Sequence, residues 1–165
     1  MLGVDILIFV TLGTQDKSFK RLLDAIQKQI DLGKIKDKVV VQAGFTKYES
    51  KDMTIFDLVN RDEFDKYMND CDLLITHGGV GSIVGGLTHG KKVIAAARLK
   101  EYKEHTNDHQ VQIIDVFSKD GYILKLDDFD KLDEVLKSVK KFKPKKFISN
   151  TDKFIDNLKD YIDNN

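Results

Sequence analysis

The chain has 165 residues, with 27 basic side chains against 27 acidic ones and a single cysteine. This length suits one core and is short for a two-domain enzyme, and the balanced charge offers no broad field for nucleic acid, which is not expected as a partner. Cys71 alone excludes an internal disulfide and a cysteine-based zinc cage of the usual spacing, and it is expected as a packed thiol.

Residues 5–11 (DILIFVT) form a continuous apolar run, which favours a strand buried on both faces. The run empties into Leu12-Gly13-Thr14-Gln15-Asp16, and Phe19, Leu22, Leu23, Ile26 and Ile30 then recur at helical spacing until Gly33. Residues 38–42 (KVVVQ) predict a second buried strand. Residues 48–60 are ambiguous, with room for a short strand near 53–58. Phe64, Tyr67 and Met68 predict a helix over 62–69, with acidic residues in its first turn. A third strand, 73–76, runs into a glycine turn and a helix, and a further apolar run, 93–97, is expected to lie parallel beside it. A helix is predicted over 108–118, a last strand over 122–126, and a helix over 128–140 with Leu132, Val135, Leu136 and Val139 on one side.

The basic run 137–146 holds the only proline, Pro144, and reads as a hinge or exposed turn, with contact to anionic lipid or a partner as the alternative. A final amphipathic helix is expected over about 150–163, capped by Asn150 or Thr151. Its stripe of Phe154, Ile155, Leu158, Tyr161 and Ile162 must pack on this domain or on another chain. No stretch approaches the ~20 apolar residues of a membrane span, and the run 6–10 is too short for a cleavable signal and lacks its basic flank. A cytoplasmic location is expected. Strands alternating with helices predict an α/β fold: one domain over 1–165 with a doubly wound, Rossmann-like parallel sheet of five or six strands.

The chemistry gathers between residues 73 and 110. Strand, glycine turn and helix follow one another at His77-Gly78-Gly79-Val80-Gly81-Ser82, an order that presents unpaired N–H groups and the positive end of a helix dipole to an anion. In a parallel sheet the first loop, with Gly13 and Thr14, reaches the same carboxyl edge. Arg98, Glu104, His105, His109 and Gln110 follow the adjoining strand and make this crevice the candidate site. Each feature alone has a plainer reading: glycines for a tight turn or close packing, Arg98 as a solvated strand end, Glu104 as a surface carboxylate. His89 reads as a helix-terminal residue without chemistry. The Walker pattern is missing, as is Gly-x-Gly-x-x-Gly after the first strand, so nucleoside triphosphate hydrolysis and nicotinamide binding lose ground. His77, His105 and His109, with Asp108 nearby, invite a metal reading, but His-Glu-x-x-His is absent. Histidines beside a glycine loop more often donate hydrogen bonds to ligand oxygens, and no metal or cofactor is expected.

These residues resemble the C-terminal half of glycosyltransferase family 28. The likeness is carried by 77–82 (HGGVGS), 90–94 (GKKVI), 104–110 (EHTNDHQ) and the opening 9–14 (FVTLGT) followed by Phe19, Leu22 and Leu23, and so spans nearly the whole chain. It is strong toward the soluble catalytic subunits of two-subunit transferases, in dolichol-linked N-acetylglucosaminyl transfer and in bacterial capsule and exopolysaccharide synthesis. The resemblance implies a single GT-B C-terminal-type lobe that binds a UDP-sugar, and an inverting transferase that moves a hexose to a polyprenyl-diphosphate-linked saccharide. A membrane-anchored partner subunit would hold that acceptor and contribute the general base, keeping the heterodimer peripheral at the membrane. The basic turn and the last helix are the expected docking places. By resemblance, Gly13, Thr14, Gly78, Gly79, Gly81 and Ser82 surround the diphosphate and His77 donates to it as the catalytic residue. The segment 104–110, with Glu104, His105, His109 and Gln110, serves the donor sugar, and Arg98 stands beside it.

Two departures stand out: Gly85 occupies the place where many relatives carry an acidic residue for the ribose, and Lys92, Ala96 and Ala97 replace the family's prolines near the 93–98 strand. The alternative is a non-catalytic accessory module that stabilises a partner transferase. A UDP-sugar epimerase is a third reading, disfavoured because it normally needs both lobes in one chain.

Overall fold

The computed structural model describes residues 6–148 and 151–164, leaving Asp5 and the candidate cap Asn150 outside the described residues, together with the side chains of Thr151 and Phe154. Among the described residues six strands, β1 (Leu7–Thr11), β2 (Lys38–Gln42), β3 (Met53–Phe56), β4 (Leu73–His77), β5 (Lys92–Ala96) and β6 (Leu124–Leu126), form one all-parallel sheet in the order β3-β2-β1-β4-β5-β6. The helices are α1 (Lys20–Asp31), α2 (Arg61–Asp70), α3 (Val80–Thr88), α4 (His109–Lys119), α5 (Leu132–Val139) and α6 (Thr151–Asn164).

The uninterrupted apolar runs follow from two cores, one on each face. Successive strand side chains alternate faces. Ile8 and Val10 of β1, Leu73 and Ile75 of β4 and Ile94 of β5 join Leu22, Leu23 and Ile26 of α1 and Leu132 and Val139 of α5 in one core. Phe9, Leu74 and Val93 join Met68 of α2, Ile83 and Leu87 of α3, Ile114 and Phe117 of α4 and Leu158 of α6 in the other. Part of the apolar stripe of α6 is therefore answered within the chain, since Leu158 is buried and Ile162 packs against the second core, while Tyr161 is exposed.

Some boundaries differ from the sequence-based expectation. Asn60 caps α2, its Oδ1 accepting from the Glu63 amide at 2.9 Å, and this moves the helix start back to Arg61. The helix expected over 128–140 breaks into a 3-10 turn, Phe129–Lys131, before α5, because the Asp128 side chain caps that turn through the Asp130 amide. The last strand begins only at Leu124.

The order reverses between β1 and β4, whose following helices, α1 and α3, pack on opposite faces of the sheet, and this is where an open parallel sheet leaves a crevice at its carboxyl edge. The pairing Thr11↔Thr76 sets the two strand ends level, and Thr11 Oγ1 donates to Thr76 Oγ1 at 2.8 Å in the buried interior. The basic turn lies elsewhere: Lys92 Nζ, at the start of β5, donates to the Val139 carbonyl, and the Lys145 amide donates to the Gly121 carbonyl beyond the end of α4. It thus crosses the amino edge of the sheet, opposite the crevice.

Gly86 brings α3 down on the sheet. A β-carbon there would come within 2.6 Å of Leu74 Cδ2 and 2.8 Å of Val93 Cγ2. Replacing Gly86 by valine is expected to cost about 1–3 kcal/mol by overpacking, read as a lowered urea midpoint. An unchanged midpoint would contradict this close helix–sheet contact.

Candidate functional site

At the β1/β4 crevice lies a cavity of about 540 Å³ lined by Gly13, Thr14, His77, Gly78, Gly79, Gly81, Ser82, His105, His109 and Gln110 from the expected set. Such a volume falls in the range of small-ligand pockets.

The two glycine turns meet on one side chain. Gly13 has φ +80°, left-handed backbone that glycine adopts without steric cost. A β-carbon on Gly13 would come within 2.7 Å of His77 Nε2, and one on Gly79 within 2.3 Å of His77 Cε1. The imidazole at the end of β4 therefore fills the gap between the turns, and both glycines are needed to admit it. Gly44, in the loop after β2, has the same role a layer further out, since a β-carbon there would strike the Gly13 carbonyl at 2.4 Å.

Gly79 is the N-cap of α3 and offers no side chain to the first turn. The first helical bond of the turn runs from the Ile83 amide to the Gly79 carbonyl at 3.1 Å, so the amides of Val80, Gly81 and Ser82 have no intrahelical acceptor. At Gly81 an added β-carbon would meet nothing within 4 Å, so the helix start opens on free space. Ser82 Oγ lies 3.3 Å from His77 Nε2.

His77 is held below its ordinary range. Burial, then the Arg98 guanidinium and then His105 push its pKa down to about 4, so the ring is neutral at physiological pH. Burial and the Arg98 charge likewise lower His105, whose Nδ1 accepts from the Asn107 amide at 3.2 Å and whose Nε2 stands 3.0 Å from the Gln15 amide group. His105 and exposed His109 sit on the rim. Among the described residues no group of three His, Cys, Asp or Glu side chains is placed to hold a metal ion.

Arg98 and Glu104, expected to contact the donor, are not brought to the cavity surface. Arg98 is fully buried at 0% exposure. Its Nε and Nη2 donate to the Leu12 carbonyl and its Nη1 to the carbonyls of Lys17 at 2.7 Å and Glu104 at 3.2 Å, so it clamps the first glycine loop onto the loop after β5. Glu104, at 3% exposure, is taken by a bidentate pair with Arg21, both bonds 2.9 Å, and by the Leu99 amide. Arg21 itself lies over the Phe129 ring, 3.9 Å from its centroid. The positive charge of Arg98 stands behind the Leu12–Gly13 turn; burial lowers its pKa to about 10, opposed by the Glu104 carboxylate, so it stays a cation.

Six residues of the lining were not singled out from the sequence: Thr11, Gln15, Gln42, Phe64, Asn107 and Ile113. Gln42 carried a readable signal, a polar residue closing the apolar run of β2. Phe64 carried none, because its helical spacing fits core packing equally well.

A six-stranded parallel sheet with this crevice is the Rossmann-like architecture of a GT-B C-terminal lobe. The chain matches the model of the glycosyltransferase family 28 C-terminal domain over residues 7–164 and belongs to that family. Comparison with curated proteins gives no match. Among solved structures its fold is similar to the solution structure of ALG13, with 22% identity, a TM-score of 0.62, and coverage of 93% of this chain and 95% of that one. It is also similar to MurG of Acinetobacter baumannii (14% identity, TM-score 0.57, 84% of this chain and 42% of that one). A third is the UDP-GlcNAc 2-epimerase of Methanocaldococcus jannaschii, solved with UDP-GlcNAc and UDP (15% identity, TM-score 0.63, 96% and 46%). The chain thus spans nearly all of ALG13 but under half of the other two.

The depressed His77 pKa has a consequence for stability. In the unfolded chain a histidine takes up a proton below its ordinary value of 6.5, whereas folded His77 does so only near 4. Acid therefore favours unfolding through this group: its contribution is whole above pH 6.5, falls as pH drops towards 4, and levels off below, a loss of up to about 3 kcal/mol. Urea titrations at pH 7, 5.5 and 4 are expected to show this acid loss reduced in His77→Gln. An equal loss in the variant would contradict a buried, neutral His77.

Proposed function

We propose that the chain holds a UDP-sugar in the β1/β4 crevice and is the donor-binding, catalytic subunit of an inverting glycosyltransferase that moves a hexose to a polyprenyl-diphosphate-linked acceptor in polysaccharide synthesis. One observation carries this reading: the Gly13–Thr14 turn and the open start of α3 face one cavity with His77 between them and the Arg98 charge behind. Uncapped amides, a helix N-terminus and a buried cation in one place favour a diphosphate. In the displacement the acceptor hydroxyl oxygen bonds to the sugar anomeric carbon as its bond to the UDP oxygen breaks, and the hydroxyl proton passes to a base on the partner subunit. Negative charge grows on the departing diphosphate, where the amides of Val80, Gly81 and Ser82 and the His77 N–H stabilise it with no metal or cofactor. His105, His109 and Asn107 stand at the rim for the sugar.

Family membership and the share of chain support the half-enzyme reading. The chain spans 42% of MurG, as a donor lobe alone would, and 95% of ALG13. The acceptor-binding lobe is assigned to a membrane-anchored partner that holds the lipid-linked saccharide and keeps this chain peripheral at the cytoplasmic face. No helix among the described residues is long and apolar enough to cross a membrane, so attachment through a partner is consistent with the described helices. The crevice, not the basic turn on the opposite edge, is the side that such a partner must face. A second reading draws on Gly85: a β-carbon there would meet nothing within 4 Å, so the position where relatives place a ribose-binding acid is open space. This favours a non-catalytic module that stabilises a partner transferase.

Calorimetric titration with UDP tests the site. Gly81→Asp fits the space and puts a carboxylate where the diphosphate would lie, so UDP affinity is expected to fall about tenfold or more, while Gly81→Ala binds like wild type. Equal affinity in all three, or none in any, would overturn the reading. With the partner co-expressed, transfer of labelled sugar separates the two roles: His77→Ala abolishes it if this chain holds the donor and leaves it intact if the chain is an accessory.

A further inference from the structure

We propose that Gln110 is a positioning residue that fixes His77 as the tautomer with its proton on Nε2, so that the imidazole serves the diphosphate as a neutral hydrogen-bond donor. The proposal rests on the nucleotide reading above for its functional half, and on side-chain geometry alone for its structural half.

The geometry starts from the main chain. Gln110 is the second residue of α4 and is buried against the exits of β4 and β5. Its Oε1 stands 3.0 Å from the Gly78 amide and 3.0 Å from the Arg98 amide. Both partners are backbone N–H groups, which only donate, so the amide oxygen must face them. The NH₂ end of the side chain is then turned towards His77 Nδ1, at 3.3 Å. An N–H group aimed at Nδ1 requires a lone pair there, and a neutral imidazole with a bare Nδ1 carries its proton on Nε2. Nε2 is the edge beside Ser82 Oγ and the first turn of α3. The proton therefore sits where the anion is expected.

Gly78 makes the arrangement fit, because a β-carbon on it would come within 2.7 Å of Gln110 Cβ. The charged and titratable groups facing the ring are Arg98 from the exit of β5 and His105 from the loop before α4, both of which oppose a second proton. A doubly protonated ring would also set its Nδ1–H against the NH₂ of Gln110. Arg98 and His105 thus favour the neutral ring, and Gln110 selects its tautomer. The Gln110 oxygen, which the family resemblance would direct to the donor sugar, is already occupied by two amides.

The test is spectroscopic and uses the full chain. Two-dimensional ¹⁵N–¹H correlation of ¹⁵N-histidine-labelled protein at neutral pH, with the His77 signals assigned by their loss in His77→Gln, reports which ring nitrogen carries the proton. The wild type is expected to show Nε2–H. In Gln110→Glu one carboxylate oxygen still accepts from Gly78 and Arg98 while the other accepts from the ring, so the proton is expected to move to Nδ1 and the His77 titration to rise by about one to three pH units. An Nδ1–H ring in the wild type, or an unchanged tautomer in folded Gln110→Glu, would overturn the role of Gln110. Should the variant fail to fold, the wild-type spectrum decides the tautomer alone. Nε2–H with no UDP binding by calorimetry would overturn the functional half through the nucleotide reading, and Nδ1–H with UDP bound would overturn the role of Gln110 while sparing that reading.

Discussion

The close approach of two glycine turns to the His77 imidazole is the constraint on which the crevice depends. Any β-carbon on Gly13 or Gly79 would overlap the ring, so the first loop and the start of α3 both close on one imidazole. The Thr11–Thr76 hydrogen bond levels the two strands beneath, and the switch in strand order opens the space above. Sequence, register and site are linked here in one step: small residues at two strand ends become a cradle only because β1 and β4 are neighbours.

A chain with 27 charges of each sign has no broad field of either sign, so its charges act locally. Arg98 places one positive charge beside the crevice without lining it. Its guanidinium directs its donors to the carbonyls of Leu12, Lys17 and Glu104, which offsets the cost of burying a charge and holds the loop that carries Gly13 and Thr14. The Glu104 carboxylate pairs directly with Arg21 and also acts on the Arg98 charge, raising its pKa against the effect of burial. Burial first, and the Arg98 charge second, lower the pKa of both His77 and His105. One buried cation thus holds the loop and adds to the effect of burial on the two histidines.

Much of this was legible in the sequence because it is local. Continuous apolar runs identified five of the strands, a sixth was anticipated near β3, and strand–glycine–helix order located both turns. Their convergence followed from the handedness and shortness of βαβ connections. What stayed hidden depends on contacts far apart along the chain. Glu104 meets Arg21 across 83 residues, and Arg98 meets the Leu12 carbonyl across 86, so nothing near either residue distinguished a buried strut from a ligand contact. Gln110 belonged to a recognisable segment, but the two amides that claim its oxygen lie on the ends of β4 and β5. The 3-10 break before α5 turned on one capping aspartate, Asp128, inside an acidic stretch in which any of several residues had the chemistry to cap.

The central claim is that the turns after β1 and β4 together hold a nucleotide diphosphate, and a crystal structure of the chain grown with UDP tests it most directly. The two phosphates are expected in the β1/β4 crevice, bonded by the first-turn amides of α3 and by His77 Nε2, and flanked by Gly13 and Thr14. Phosphates bound at another edge of the sheet, or a crevice closed by side chains with UDP displaced from it, would contradict the account.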